Sequence, residues 1–318
     1  MNKNTAIIFG ISGQDGAYLA HHLLKKKYNV FGITRNKKKI SLINLLKLKI
    51  KRKVKIRSLR FPNQNKIDKL ISSINPSEIY YLAGQSSVSL SFKKPVETYI
   101  SNNLNLFYLL EFLRRSKKNI SLYNSASSEC FGNNNKVKCN EKTVFNPISP
   151  YGKAKSFSFW ITKYYRENFK IKASNGILFN HESPLRKKIF VTQKVANYAQ
   201  NFEKNNKKKL VLGNVKVRRD WGWAPEYVKV IHLINSQKKN DDYVIGSGKN
   251  YSLLEYIKII FNNKNIPLKM LKIAKKFYRP KEIIKISADN RKIIKEFRWK
   301  PTSNINTIAL KMLKRELF

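Results

Sequence analysis

The chain has 318 residues, of which 42% are hydrophobic and 12% aromatic, and its formal net charge is +46. This length suits two domains or one large α/β domain with an appended lobe, and the apolar content is sufficient for a real core. No apolar run approaches the roughly 18 residues that a membrane span requires. The two cysteines, Cys130 and Cys139, are too few for a disulfide framework, and no metal site is predicted. The N-terminus is too short for a signal peptide, so we expect a cytoplasmic protein without membrane association.

The strong positive charge raises the hypothesis of a protein that binds nucleic acid or another polyanion. Lysines are nevertheless spread along the whole chain, and the basic runs at 37–39, 49–53 and 207–209 fall where loops or solvated faces are expected. We therefore interpret the charge as a solvated surface and expect no nucleic-acid partner. Such a surface would still attract anionic ligands such as nucleotide diphosphates.

The predicted elements begin with an apolar run at Thr5–Phe9, a glycine-rich turn, a helical pattern through Lys27 and a second β-rich run at Asn29–Thr34. This order of strand, turn, helix and strand opens a parallel doubly wound sheet. Further strands are predicted at 78–82, 120–124 and 173–179, and helices at 103–115 and 153–168. The fold class is therefore α/β, a Rossmann-type sheet with a smaller C-terminal lobe. We expect residues 1–180 to bind a dinucleotide, with 222–249 returning to that domain, and 181–318 to form mainly a substrate-binding lobe.

Gly10, Gly13 and Gly16 follow the first strand and open the first helix. Glycines at this spacing allow a tight turn and let the backbone approach a pyrophosphate, which the helix N-terminus then binds. The end of the second strand distinguishes the two nicotinamide cofactors, because an acid there binds a ribose 2′-hydroxyl and a base suits a 2′-phosphate. Residues 32–35 contain no acid and end in Arg35, which favours NADP over NAD.

Tyr151 is followed four residues later by Lys155. One helical turn separates these positions, so the ammonium can lie beside the phenol. A neighbouring positive charge lowers the pKa of a phenol from its usual value near 10, and Tyr151 would then act as a general base near neutral pH. Glu129, which follows Ser127 and Ser128, precedes this pair in the chain.

Six short motifs together carry a family resemblance. They are GQDG at 13–16, LAGQS at 82–86, SSE at 127–129, NGILFNHESP at 175–184, RDWG at 219–222 and YRPKE at 278–282. With the glycine turn and the Tyr-Lys pair, the chain resembles the GDP-mannose 4,6-dehydratases of the extended short-chain dehydrogenase/reductase superfamily. The resemblance extends from Ile8 to Pro301.

The resemblance implies a redox-neutral dehydration. Tyr151 would remove the proton of the sugar 4-hydroxyl during oxidation at C4, and Lys155 would keep the phenol acidic and bind the nicotinamide ribose. Ser127, where the family usually has Thr, would hydrogen-bond the reacting O4. Glu129 would act as base at C5 and as acid for the departing C6 hydroxyl, a role that a plain reductase does not need.

The resemblance also assigns binding residues. The cofactor residues would be Gly10, Gly13, Gln14, Asp15, Gly16, Arg35, Leu82, Ala83, Gln85, Ser86, Tyr151, Lys155, His181 and Arg186. The GDP-sugar residues would be Ser86, Asn180, Lys194, Arg219, Arg279 and Glu282. Arginine and lysine suit a diphosphate, since they make charge-assisted bonds with its oxygens. His232 and the tryptophans at 160, 221, 223 and 299 are expected to serve packing.

The periphery of the predicted site departs from the family pattern. Phe9 stands where the family has Thr, and residues 57–61 lack the Asp expected near the adenine. The segment from Leu185 lacks a second Arg and a Gly of the family, and Trp223 stands where the family usually has His. The loop after Arg35, which in the family joins subunits, also differs. We expect a homo-oligomer, a dimer or a tetramer, that acts on GDP-mannose or a related nucleotide sugar. The alternatives are another nucleotide-sugar epimerase, dehydratase or reductase and, outside enzymes, a polyanion-binding protein.

Overall fold

A computed structural model describes residues 4–35, 42–60, 62–133, 138–203 and 208–318. The basic run at 37–39, most of the loop after Arg35, Phe61 and Lys207 lie outside these residues. Within them, a parallel sheet of seven strands has the order β12-β7-β5-β4-β1-β2-β3. This order, with its reversal beside β1, is that of a doubly wound sheet, and it confirms the predicted fold class.

The strands of the described residues are short, and several pair only in twos outside the main sheet. They are β1 (Thr5–Phe9), β2 (Asn29–Thr34), β3 (Lys55–Ser58), β4 (Glu78–Tyr81), β5 (Ser121–Ser127), β6 (Lys138–Cys139), β7 (Ala173–Leu178), β8 (Asn180–Glu182), β9 (Leu210–Leu212), β10 (Arg218–Arg219), β11 (Trp221–Trp223), β12 (Asp242–Ile245), β13 (Tyr251–Ser252), β14 (Leu271–Ile273) and β15 (Ser287–Ala288).

The helices flank the sheet and build the second lobe. They are α1 (Gln14–Lys25), α2 (Ile43–Lys47), α3 (Gln64–Ile74), α4 (Val88–Lys93), α5 (Pro95–Ser116), α6 (Pro150–Phe169), α7 (Val191–Gln200), α8 (Ala224–Ser236), α9 (Leu253–Asn263), α10 (Arg291–Phe297) and α11 (Ile305–Lys314). None of the helices formed by the described residues is long and apolar enough to cross a lipid bilayer.

The central strands are apolar on both faces because helices cover the sheet on both sides. Ile8 and Tyr80 point into a core that α1 and α8 complete, whereas Ile7 and Ile79 point into a core formed with α3 and α5. Strands buried on both faces are typical of parallel sheets. The carboxyl ends of β1, β4, β5 and β7 therefore meet along one open edge of the molecule.

The second lobe has its own hydrophobic core, built from α7, α9, α11 and the short strands between them. The segment between its parts returns to the sheet: β12 pairs with β7 in parallel, and α8 packs on α1. The structure adds a return that the sequence patterns do not predict. Ile293 and Trp299, in and after α10, are buried in the core on the α1 side of the sheet.

Candidate active site

One large cavity runs along the carboxyl ends of the strands and into the second lobe, with a volume of about 2280 Å³. Every residue predicted to bind cofactor or substrate, or to act in catalysis, lines this cavity except Gln85. The position agrees with the general location of ligand sites in doubly wound folds, which lie outside the carboxyl ends of the strands where the strand order reverses.

The glycine-rich turn between β1 and α1 forms one wall of the cavity. Gly10 has a φ of +88°, and a Cβ there would lie 2.7 Å from the carbonyl oxygen of Leu82, so only glycine fits. The Gly13 N–H donates to the Gly10 carbonyl at 2.9 Å. No side chain caps the N-terminus of α1, whose N-cap residue is Gly13. The first N–H groups of the helix are therefore suited to bind a phosphate oxygen.

The end of β2 forms the cationic end of the same wall. Arg35 directly follows the strand and is exposed, and Arg60, two residues after the β3 residue that pairs with Thr34, lines the same cavity. The acids that line the cavity come from other segments: Asp15, Glu97, Glu129, Glu182 and Glu282. The residues at the end of β2 thus offer positive charge where a dinucleotide ribose would lie.

The predicted catalytic residues meet where β5 ends and α6 begins. Ser127 is the last residue of β5, and Glu129 lies in the single helical turn that follows, with its N–H donating to Ser127 Oγ at 3.3 Å. Ser149 caps α6 by accepting from the Gly152 N–H at 3.0 Å. The helix begins at Pro150, three residues before the expected start at 153, so Tyr151 lies in its first turn.

The predicted effect of Lys155 on the pKa of Tyr151 is wrong. Burial raises the pKa of Tyr151 well above its usual value, and a hydrogen bond with Ser127 and the charge of Arg186 offset this only in part. Lys155 donates instead to the Ser125 carbonyl at 2.8 Å. Burial also lowers the pKa of Lys155 to about 8, a value at which the ammonium still carries its charge at neutral pH.

An ion pair joins the glycine-rich wall to the opposite side of the cavity. His181 Nε2 lies 2.9 Å from Asp15 Oδ1. Burial by itself lowers the pKa of His181, but the charge and hydrogen bond of Asp15 outweigh burial and raise that pKa. Arg186 donates to the His181 carbonyl at 2.6 Å and pairs with Glu182 at 3.3 Å. His181 and Arg186 thus lie beside the glycine-rich wall, and their predicted contact with a cofactor stays a prediction.

The half of the cavity where substrate binding was predicted, here called the substrate half, contains two arginines and a carboxyl group. Arg219 is buried and donates to the Ile283 carbonyl at 2.6 Å, while Arg279 lies 3.6 Å from Glu282. Burial lowers the pKa of Arg219 and raises that of Glu282, and both groups interact electrostatically with Glu129. Lys194, on α7, is exposed at the rim.

Gln85 does not face the cavity. Its amide group donates to the Ser87 carbonyl at 2.9 Å and to Thr98 Oγ1 at 3.1 Å, which ties the loop after β4 to α5. The sequence patterns therefore place Gln85 in the correct loop with the wrong role, because they do not predict which way a loop side chain points.

Several lining residues were not predicted from the sequence. Trp221 lines the cavity although it was expected to serve packing alone, and Phe277 and Tyr278 form an exposed aromatic pair at the rim. Adjacent aromatic residues just before Arg279 were the one signal that could have identified that rim. Trp160 packs edge-to-face on Phe145 and Phe159, as predicted, but it is 52% exposed on α6, which the sequence patterns did not predict.

The chain superposes closely on solved enzymes whose substrates are nucleotide sugars. UDP-glucose 4-epimerase from Thermotoga maritima superposes with a TM-score of 0.86 at 18% identity, covering 98% of each chain. dTDP-glucose 4,6-dehydratase from Bacillus anthracis, solved in complex with NAD, superposes with a TM-score of 0.85 at 18% identity, covering 98% of this chain and 96% of that one. At such identities, the likeness shows the fold class that these enzymes share.

Sequence comparison identifies the family within that class. The family model for GDP-mannose 4,6 dehydratase matches residues 7–312. The chain is 31% identical to GDP-mannose 4,6 dehydratase of Dictyostelium discoideum, over 99% of this chain and 96% of that protein. It is 32% identical to the Vibrio cholerae serotype O1 enzyme, over 100% of this chain and 94% of that protein. The chain belongs to the GDP-mannose 4,6-dehydratase family, and the predicted resemblance is confirmed.

Proposed function

We propose that this protein is a hydro-lyase that converts GDP-D-mannose to GDP-4-dehydro-6-deoxy-D-mannose, with loss of water and internal recycling of NADP(H). One observation carries the proposal beyond family membership. Glu129 lies in the same part of the cavity as Ser127 and Tyr151, and it interacts electrostatically with Arg219 and Glu282 of the substrate half. A carboxyl group between the oxidation site and the substrate half is what a dehydratase needs and a plain reductase lacks.

The residues present fit a nicotinamide dinucleotide. The uncapped N-terminus of α1 suits the pyrophosphate, and Lys155, Tyr151, His181 and Arg186 line the cavity further along. The cations beside the ends of β2 and β3 support NADP over NAD, because Arg35 and Arg60 suit a 2′-phosphate better than a 2′-hydroxyl. When bound, the oxidised nicotinamide supplies a hydride acceptor and a positive charge beside the phenol.

Tyr151 removes the proton of the 4-hydroxyl. Burial raises the pKa of this phenol, so its action as a base depends on positive charge near it. Lys155, whose ammonium donates to the Ser125 carbonyl, contributes positive charge on this side of the cavity. Ser127 forms a hydrogen bond with O4. Tyr151, Ser127 and Lys155 are buried and held by hydrogen bonds, so they keep the reacting atoms in one geometry. Such fixed positioning lowers the barrier to reaction.

Glu129 performs the elimination. Oxidation at C4 acidifies the C5 proton, which the Glu129 carboxylate removes, and the resulting carboxylic acid protonates the C6 hydroxyl as it leaves as water. The bound cofactor would supply hydride to C6, and the proton that Tyr151 took from the 4-hydroxyl returns to C5. The substrate therefore loses one water in total, and every group ends in its starting state. A single carboxyl can serve both roles because each role leaves it in the state that the other requires.

The second lobe holds the nucleotide part of the substrate. Arg219, Arg279 and Lys194 offer positive charge for the diphosphate, and Glu282 accepts hydrogen bonds from the ribose or the base. Asn180 and Ser86 line the cavity between the two halves, where the sugar would lie. On this proposal the cofactor lies at the edge of the sheet, which has a core on each face, and the nucleotide lies against the second lobe, which has a core of its own.

The direct test is conversion of GDP-mannose by the purified protein with catalytic NADP⁺, followed by mass analysis of the product. We expect a product lighter by one water, with no net consumption of cofactor. A panel of UDP-, CDP- and dTDP-hexoses measures the selectivity. An epimerised sugar of unchanged mass, or stoichiometric consumption of NADPH, would contradict a dehydratase and support an epimerase or a reductase.

We also propose that the protein is a homo-oligomer. Large apolar side chains are exposed along one face formed by the adjacent helices α5 and α6: Val96, Ile100, Phe107, Phe157, Trp160 and Tyr164. A contiguous apolar face of this kind marks an interaction surface. We define these six residues as the α5/α6 face. The cytoplasmic location expected from the sequence stays a prediction.

A further inference from the structure

Asp220, the acid of the RDWG motif, is fully buried and accepts four hydrogen bonds. Its Oδ1 accepts from the Ser247 N–H at 2.8 Å and from Ser247 Oγ at 2.6 Å. Its Oδ2 accepts from the Gly248 N–H at 2.8 Å and from the Ala288 N–H at 3.0 Å. Asp220 does not line the cavity, although Arg219 and Trp221 on either side of it do.

The four donors belong to two chain segments that are distant in sequence. Ser247 and Gly248 follow β12, the edge strand of the main sheet, and Ala288 belongs to β15. The segment before Ala288 runs beside the RDWG motif: the Arg218 N–H donates to the Ile284 carbonyl at 2.8 Å, and Arg219 donates to the Ile283 carbonyl at 2.6 Å. Asp220 therefore joins the motif, the sheet edge and the segment that follows Arg279 and Glu282.

We propose that Asp220 is a positioning residue for nucleotide binding, which holds Arg219 and the 279–282 segment at the distance that the substrate diphosphate requires. The inference rests on the proposed function of this half of the cavity. The Arg219 guanidinium is buried and donates to main-chain carbonyls, among them that of Ile283. Its position therefore depends on where the backbone of these segments lies. The carboxylate of Asp220 keeps those carbonyls in place by fixing the backbone on both sides.

Only a carboxylate can accept all four bonds. Each carboxylate oxygen accepts two of the four bonds. An amide would replace one of these oxygens with an NH2 group, which cannot accept and would repel the two donors that face it. The Asp220→Asn variant therefore keeps the volume of the side chain and loses the connection. The Ser247→Ala variant removes the hydroxyl, which also accepts from the Lys249 N–H at 3.2 Å, and leaves the three backbone donors to Asp220 in place. It is expected to have a smaller effect in the same direction.

The experiment compares Asp220→Asn with Asp242→Asn in steady-state kinetics and in titrations with GDP and NADP⁺. Asp242 is a matched control, because it is also a buried carboxylate at the sheet edge, bound to Arg166 at 2.8 Å, and lies outside the cavity lining. For Asp220→Asn we expect KM for GDP-mannose and Kd for GDP to rise roughly tenfold, with kcat and Kd for NADP⁺ nearly unchanged. For Asp242→Asn we expect thermal stability to fall without this division between substrate and cofactor.

Unchanged GDP affinity in Asp220→Asn would overturn the inference. So would a parallel loss of kcat, cofactor affinity and stability in both variants, since that is the result of a purely structural role. If Asp220→Asn does not fold, the same two outcomes are judged on Ser247→Ala. Wild-type protein that binds GDP but does not dehydrate GDP-mannose contradicts the proposed function alone, and the GDP titrations then still decide the role of Asp220.

Discussion

Glu129 is the single residue whose chemistry separates a dehydratase from a reductase at this site. We expect Glu129→Gln to slow dehydration by about 10²- to 10⁴-fold, because an amide can neither remove the C5 proton nor protonate the leaving hydroxyl. Oxidation at C4 should survive, since Tyr151 and Ser127 are unchanged. The measurement is single-turnover absorbance of the reduced nicotinamide together with the mass of the product.

The matched control for this variant is Glu282→Gln, which changes another carboxyl group of the same cavity. It should weaken substrate binding and leave dehydration at saturating substrate nearly intact. Full dehydration by Glu129→Gln would show that another group eliminates the water.

Lys155 links the site to stability because its charged form is buried. Its pKa falls from 10.5 to about 8, so between these values the unfolded chain binds more protons than the folded protein, and the stability contributed by this group rises with pH. Below about pH 8 both states are protonated and the cost of burial is constant. The difference between the two pKa values corresponds to at most about 3 kcal/mol.

We therefore expect the unfolding free energy of wild type, relative to Lys155→Met, to increase as pH rises from about 8 towards 10.5. Urea unfolding of both proteins across this pH range measures the difference. Lys153→Met, which replaces an exposed lysine on the same helix, should give a difference that does not change with pH. A flat difference for Lys155→Met would mean that the buried ammonium keeps its ordinary pKa.

At the scale of elements, the N-terminus of α1 combines a packing requirement with a binding requirement. A Cβ on Gly16 would lie 2.4 Å from the Gly10 carbonyl oxygen and 2.8 Å from the Ile11 Cα, whereas the nearest atom to a Cβ on Gly13 is the Gly10 oxygen at 3.2 Å. We expect Gly16→Ala to destabilise the protein by roughly 1–3 kcal/mol, because rigid backbone must move. Gly13→Ala should fold and lose cofactor affinity.

Urea unfolding and a fluorescence titration with NADP⁺ distinguish the two glycine variants. Each variant is the control for the other, since the substitution is the same and only the position within the turn differs. Wild-type stability of Gly16→Ala, or wild-type cofactor affinity of Gly13→Ala, would contradict the assignment of that glycine.

Elements were predicted best where a local pattern alone determines them. Strands β1 and β2 have the predicted bounds, because alternating or continuous apolar runs between turns specify a buried strand. Helix α5 begins at Pro95, eight residues before the predicted start, because its first turns carry exposed apolar residues that do not follow a core-facing period. From about position 103 onward, buried residues recur at helical spacing, and this is the part of the helix that the sequence pattern predicted.

At the scale of the whole molecule, the α5/α6 face predicts association of two or more copies. We expect Trp160→Glu to weaken self-association by at least about 2 kcal/mol, roughly thirtyfold, since an exposed tryptophan at the centre of an apolar face is a typical hot spot. Sedimentation velocity over a range of protein concentrations measures the change. A monomeric wild type, or an unchanged mass distribution in the variant, would contradict the proposed assembly.

Leu268→Glu is the control for this experiment, because Leu268 is 47% exposed in the second lobe, away from α5 and α6. It introduces the same charge change into a chain of net charge +46, so any effect of charge on association appears in both variants.

The sequence by itself determined the fold class and the family, because both depend on residues close together in the chain: a glycine turn after a strand, and short motifs in a given order. It did not determine how residues far apart act on each other. The pKa of Tyr151, the turned-away Gln85, the exposed Trp160 and the bonds of Asp220 all depend on burial and on contacts between distant segments, which only the tertiary structure decided.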